Sequence, residues 1–234
     1  TAWAWGENGS GRLGDGTTID RWTPVQVSGL TNVSQVAAGG VFSLALKTDG
    51  TVWAWGDNAD GQLGDGTRNN RDTPAQVPGL SDIIDIAAGW SHAVAVSVSG
   101  KVYVWGNNEY GAIGDGNAPT DRLSPYEVGG ISDATLCGAN CSGYTVVRRT
   151  GGILYAWGVN SYGQLGDGSD TERHTPVQTT GLSGVVDFAV GTAHMLARKS
   201  DGTVWAWGGN VDGELGDGSV SAPIVYNSRP TPIM

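Results

Sequence analysis

Trp5-Gly6-Glu7-Asn8-Gly9-Ser10-Gly11-Arg12-Leu13-Gly14-Asp15-Gly16 is a segment that the chain repeats, with variations, from Trp55, Trp105, Trp157 and Trp207, at spacings of 50, 50, 52 and 50 residues. A period near 50 belongs to repeat architectures, and the choice lies between a helical solenoid and a β-propeller. Thr51-Val52-Trp53-Ala54-Trp55 and Thr203-Val204-Trp205-Ala206-Trp207 are rich in β-branched and aromatic residues, and each follows a turn signal such as Asp49-Gly50. No helical pattern of about 12 residues survives between the glycines. The repeat is made of strands.

Each period divides into four strands, here lettered A to D in chain order. In residues 31–80 they are expected at Ser34–Ala38, Ser43–Thr48, Thr51–Trp55 and around Thr73–Val77, with a long glycine-rich loop between C and D. Four antiparallel strands per unit make a propeller blade. One blade cannot bury both of its faces, so its alanines and tryptophans have to pack on neighbouring blades. The fold class is therefore all-β, a propeller of about four and a half blades. A half blade, 1–30, holds only strands C and D (Ala2–Gly6 and Thr23–Val27). Full blades follow at 31–80, 81–130, 131–182 and 183–234, the last D strand lying at Arg229–Ile233. An open strand C with two tryptophans is an aggregation-prone edge. These 234 residues are accordingly not expected to close into a monomeric ring unaided. An upstream segment resembling Val33–Asp49, or strands of a second chain in a head-to-tail contact, would complete the half blade.

Composition narrows the partners. Thirty-nine glycines without a Gly-X-Y period exclude collagen, and ten tryptophans in a 39% hydrophobic chain exclude disorder. No run of about 18 apolar residues crosses a membrane as a helix. A formal charge of −10 repels phosphate, so neither nucleic acid nor membrane insertion is expected. The acidic, lysine-poor, Gly/Asn/Thr-rich composition leans toward an extracellular or cell-surface setting.

Gly89-x-x-His92-x-x-Ala95-Val96, then Val102-x-x-Trp105-Gly106-x-Asn108-x-x-Gly111 and Pro125-x-x-Val128, resembles the repeat of the regulator of chromosome condensation family. The resemblance runs through the whole chain and has the flavour of the family's bacterial members. It implies β-propeller blades. The family spans nucleotide exchange on a small GTPase, UV-B perception and β-lactamase inhibition, so it does not by itself transfer an activity. The photoreceptor's Gly-Trp-Arg-His-Thr motif is approached only at Gly89-Trp90-Ser91-His92, with serine in the arginine's place. UV sensing is not expected, and exchange activity or a hydrolase hidden among the turn aspartates ranks below recognition.

Residues present in every copy are read as scaffold. Asp15, Asp65, Asp115, Asp167 and Asp217 sit between glycines, and Arg21, Arg71, Arg122, Arg173 and Arg229 are expected to pair with them and pin the C–D loops. A calcium reading of Asp57-Asn58-Ala59-Asp60-Gly61 lacks the alternating oxygen ligands and the distal glutamate. His92, Cys141 and His194, each three residues after a glycine, are taken as equivalent positions with Phe42 in the first full blade; a structural role outweighs a metal. Cys137 and Cys141 suggest a small disulfide across the A–B turn, provided that their Cα atoms approach to about 4.4–6.8 Å. Asn8, Asn32 and Asn140 head Asn-x-Ser sequons that chance explains. There is no nucleophile elbow, phosphate loop or zincin motif. No catalytic residue, metal or cofactor is assigned.

Function is sought where the copies diverge, on loops carried by a rigid core. Trp90 stands where other copies have Gly40 or Thr192, and Tyr110 and Tyr162 where others have Asp60 and Asp212. Trp22, Asp72 and His174 replace one another before the Thr-Pro step, and the longer final C–D loop, Ser219–Ser228, carries Tyr226. Aromatics among Gly, Asn and Asp suit a contact surface. The expected function is a non-catalytic recognition or scaffold module, binding a protein or assembling with other chains through the A–B turn and C–D loop face. A carbohydrate-binding or adhesin module is the alternative.

Overall fold

The computed structural model describes residues 1–219 and 226–233, without the side chain of Tyr226. Strands β1 (Trp3–Gly6) and β2 (Arg21–Gln26) form a two-stranded sheet. Four antiparallel four-stranded sheets follow: β3–β6 (Val33–Ala38, Phe42–Lys47, Val52–Gly56, Arg71–Gln76), then β7–β10 (Ile83–Ala88, His92–Ser97, Val102–Gly106, Arg122–Glu127). The third holds β11–β14 (Ala134–Ala139, Tyr144–Arg149, Leu154–Gly158, Arg173–Gln178). The fourth holds β15–β18 (Val185–Val190, His194–Lys199, Val204–Gly209, Tyr226–Pro232). The chain is an all-β propeller arc of four and a half blades.

Strand D begins two residues earlier than expected, at Arg71 rather than Thr73, because Arg71 pairs with Gly56 across a bulge that precedes the regular Trp53–Gln76 and Ala54–Ala75 pairs. The same bulge recurs between β1 and β2, β9 and β10, β13 and β14, and β17 and β18. Bulges bend a strand and re-aim its end, and here the bend begins the long C–D loop. The final D strand likewise starts at Tyr226, not at Arg229.

Strands A of neighbouring full blades lie side by side, and the core sits between blades. One cluster joins Leu44, Val52 and Leu63 of the first full blade to Ile86, Ala95 and Trp105 of the second. Similar clusters end on Trp55, Trp157 and Trp207. Each of these tryptophans is at most 3% exposed and donates its indole N–H to the preceding blade's C–D loop: to Arg12 O (2.9 Å), Gln62 O (2.9 Å), Ala112 O (2.8 Å) and Gln164 O (2.9 Å) in turn. The loop can approach because Gly14, Gly64, Gly114 and Gly166 lie on the ring. A Cβ at Gly64 would stand 2.8 Å from Trp105 Nε1, at a φ of +69°. Each of the four full blades is thus latched to its predecessor by the same indole.

Trp5 holds the same place in β1 but has no preceding blade among the described residues, and it is 64% exposed. Beside it opens a cleft of about 380 Å³, lined by Ala2 to Trp5 on one wall and by Val36, Ala37 and Leu44 on the other. Strands A and B occupy this place in a complete blade.

Candidate functional site on the loop face

The C–D loops are built around a buried asparagine. Asn8, Asn58, Asn108, Asn160 and Asn210 are at most 2% exposed. Each accepts the backbone N–H of the residue five positions on through its Oδ1, at 2.9–3.0 Å. In the first four, the amide nitrogen donates to the turn aspartate and to a loop carbonyl, as in Asn58 to Asp65 Oδ1 (3.2 Å) and Thr67 O (3.0 Å). Asn210 reaches the Ser219 carbonyl and hydroxyl. The sequence shows this asparagine in every copy, yet its role was not read from it. Asn8 and Asn140, two of the three sequon asparagines, are buried.

The expected ion pairs form in four copies: Asp15–Arg21 (2.6 Å), Asp65–Arg71 (2.9 Å), Asp115–Arg122 (2.5 Å) and Asp167–Arg173 (2.7 Å). Burial opposes ionisation of Asp65, but the Thr67 hydroxyl and the Arg71 guanidinium outweigh it and hold the carboxyl below its ordinary value. The fifth copy departs from the expectation. Asn227, not Arg229, pairs with Gly208 where the others place arginine, and Arg229 lies two residues on, beside Gly168. Asp217 is held instead by the Ser219 hydroxyl (2.6 Å) and amide (2.8 Å). Counting back from the proline explains the slip: Arg71 precedes Pro74 by three positions, whereas Arg229 immediately precedes Pro230. The inserted residues 220–225 lie outside the described residues, as does the side chain of Tyr226, so the expectation placed on that aromatic stays open.

The A–B turns bring a second correction. Phe42, His92, Tyr144 and His194 share one place, opposite Gly56, Gly106, Gly158 and Gly208. Cys141 is not in this set. Asn140 stands where the other full blades have Gly39, Gly89 and Gly191, and the turn after it is one residue longer, so counting three from Gly138, two places back in the strand, stops at Cys141, three short of Tyr144. Tyr144 donates its hydroxyl to Gly191 O of the next blade at 2.7 Å. Among the described residues no cluster of three or more His, Cys, Asp or Glu side chains could hold a metal.

The Cys137–Cys141 bridge is not formed, because the two side chains serve different surroundings. Cys137 is buried between blades with Sγ beside Val94 O, and its amide donates to Asp85, which also accepts from Gln35. Burial pushes its thiol well up, with the Asp85 charge adding to the effect. Cys141 is exposed on the turn, near the Thr192 hydroxyl.

His92 is 2% exposed, and its Nε2 meets Thr145 Oγ1 of the next blade at 3.2 Å. The Thr145 hydroxyl itself donates to Ala112 O, so a neutral, Nε2-protonated imidazole satisfies the contact. Desolvation lowers the His92 pKa from 6.5 to about 4, with a Tyr144 backbone hydrogen bond pulling weakly the other way. Between these values the unfolded chain binds a proton that the folded chain refuses, so stability falls as the pH drops through that window. The loss approaches roughly 3 kcal/mol. Urea titrations at pH 7 and pH 4.5 are expected to reveal this slope, and His92→Phe, which copies Phe42, is expected to flatten it. An unchanged slope in the variant would refute the assignment.

Trp90 and Tyr110 line one cleft on this face. A cleft of about 260 Å³ is lined by Asp60 of one C–D loop, Trp90 to His92, Asn107, Glu109 and Tyr110 of the second full blade, and Cys141 to Gly143 of the third. The Trp90 ring lies on Gly40 so closely that a Cβ there would stand 2.4 Å from it, while the indole stays 55% exposed. Tyr110 is set against Gly143 and is 40% exposed. The negative charge of Glu109, then desolvation, pushes the Tyr110 hydroxyl up. The other candidates lie outside this cleft. Tyr162 sits one blade on, near Gly209, and His174 covers Gly111 with its ring 3.6 Å from Glu172. Trp22 occupies the place in which Asp72 and His174 cover a preceding blade's glycine; with no blade before it among the described residues, it is 88% exposed.

Human WBSCR16 superposes with a TM-score of 0.83 at 25% identity, covering 99% of this chain and 62% of that one. Prp20p of Saccharomyces cerevisiae, whose structure was described with its binding to Gsp1p and histones, gives a TM-score of 0.84 at 25% identity, covering 99% and 58%. Yeast RCC1 (Prp20) bound to Kap60 gives 0.82 at 24%. The chain thus spans about three fifths of the length of these proteins. The family model of the RCC1-like domain matches residues 1–234, and the chain belongs to the RCC1-like domain family.

Proposed function

We propose that this chain is a non-catalytic recognition module that binds a basic protein partner on its loop face, at the Trp90–Tyr110 cleft. The carrying observation is Trp90: a 55% exposed indole held on a rigid inter-blade glycine, in a turn where other blades offer Gly40 or Thr192. Exposed aromatics on a preorganised frame dominate protein interfaces at small entropic cost. The yeast relative's binding to Gsp1p, histones and Kap60 supports a protein partner. The formal charge of −10 favours a basic one. A glycan partner draws no support from these relatives. The bacterial and extracellular setting expected from composition gains none either, since they come from human and yeast. Nucleotide exchange has no specific observation behind it and is not proposed.

Purified histones serve as the basic-protein probe. Wild-type chain is expected to bind them in calorimetry, with affinity falling about tenfold in Trp90→Gly, a change that copies the first full blade. Absence of binding by the wild type, or equal binding by the variant, contradicts the proposal.

A further inference from the structure

We infer that the Trp90–Tyr110 cleft is a receptor for one cationic side chain, the guanidinium or ammonium group of an arginine or lysine on the partner. The inference rests on the recognition reading above and names its chemistry. Two carboxylates, Asp60 and Glu109, line the cleft together with the two half-exposed aromatic rings. Among the described residues neither carboxylate makes an ion pair, and no lysine or arginine lines the cleft. Arg68, whose guanidinium reaches Ala59 O, is committed to Asp121 at 3.0 Å. His92 lines the wall as a neutral imidazole, so it places no opposing charge there at pH 7. The Tyr110 hydroxyl is raised first by the charge of Glu109, with desolvation, a hydrogen bond to the Glu109 carboxylate and the charge of Glu172 adding to it. Aromatic faces and carboxylates around a small polar cleft are the two partners that a cation takes together, the rings through their quadrupole and the carboxylates through charge.

The repeat supplies internal controls. One blade back, Gly40 and Ala59 stand in place of Trp90 and Glu109; one blade on, Ser161 stands in place of Glu109. Only the cleft at Trp90 combines tryptophan, tyrosine and two carboxylates among the described residues. Charge neutralisation by Asp60→Asn with Glu109→Gln keeps side-chain size and touches none of the buried latches.

Cys141 lines the cleft and is exposed, whereas Cys137 is buried, so alkylation by a neutral maleimide reads the site directly. Acetyl-arginine amide and acetyl-lysine amide are the probes, and acetyl-citrulline amide is the neutral isostere of the first. The cationic amides are expected to slow Cys141 modification by about threefold or more, with citrulline ineffective and the Asp60→Asn/Glu109→Gln variant unprotected. Equal protection by citrulline, protection that survives in the double variant, or none from either cation would overturn the inference. Histone binding separates the two claims. If Trp90→Gly abolishes it while the double variant binds normally, the recognition reading stands and the cation receptor falls. If the amides protect Cys141 while histones do not bind, the reverse holds.

Discussion

Trp105→Ala is expected to cost about 3–5 kcal/mol of stability, and Trp5→Ala less than about 1 kcal/mol, although both residues occupy the same position of the same repeat. Trp105 is fully buried, and its indole N–H caps Gln62 O of the preceding blade. Removing it opens a cavity against Leu63 and Val77 and leaves a carbonyl inside the structure without a donor. Trp5 is 64% exposed and has no preceding loop to latch. Urea denaturation measures the difference as a shift in midpoint at constant slope. Equal losses at the two sites would mean that Trp5 is covered in solution, against the open edge described above.

Fusing a second copy of residues 31–50 directly before Thr1 is expected to complete the half blade. Thr1-Ala2-Trp3-Ala4-Trp5 corresponds to Thr51-Val52-Trp53-Ala54-Trp55, which that segment precedes in the natural chain. The added hairpin would fill the cleft beside β1, pairing its second strand with β1 as β4 pairs with β5. Burying one large apolar side chain contributes about 1.5–3 kcal/mol, and Val36, 61% exposed on the facing strand, is available. Opening of β1–β2 is therefore expected to become harder by about 2 kcal/mol, read as slower amide exchange, while Trp5, which still has no preceding loop over it, stays open. Unchanged exchange would show that the hairpin does not dock.

Much of the candidate site was legible because it sits where the copies differ. Trp90 and Tyr110 stood out as exceptions to a repeated pattern, and the structure brings them to one cleft. Glu109 is not legible in the sequence, since a glutamate in a polar loop carries no local signal; its significance comes from Asp60, 49 positions earlier, lining the same cleft. Trp22 and Trp90 are both divergent aromatics in the sequence, but the exposure of Trp22 goes with the lack of a blade before it among the described residues.

Strand, turn and period were determined by the sequence alone, because each rests on local chemistry. Alternating β-branched and aromatic residues extend the backbone, Asp-Gly reverses it, and the spacing of Trp-Gly sets the blade length. Tertiary structure alone decided which copy of a repeated residue is buried, which of Cys141 and Tyr144 enters the turn set, and whether Asn227 or Arg229 stands opposite Gly208. Those outcomes depend on strand register and on the neighbouring blade. Five nearly identical tryptophans differ in environment only because four have a preceding loop to close over them.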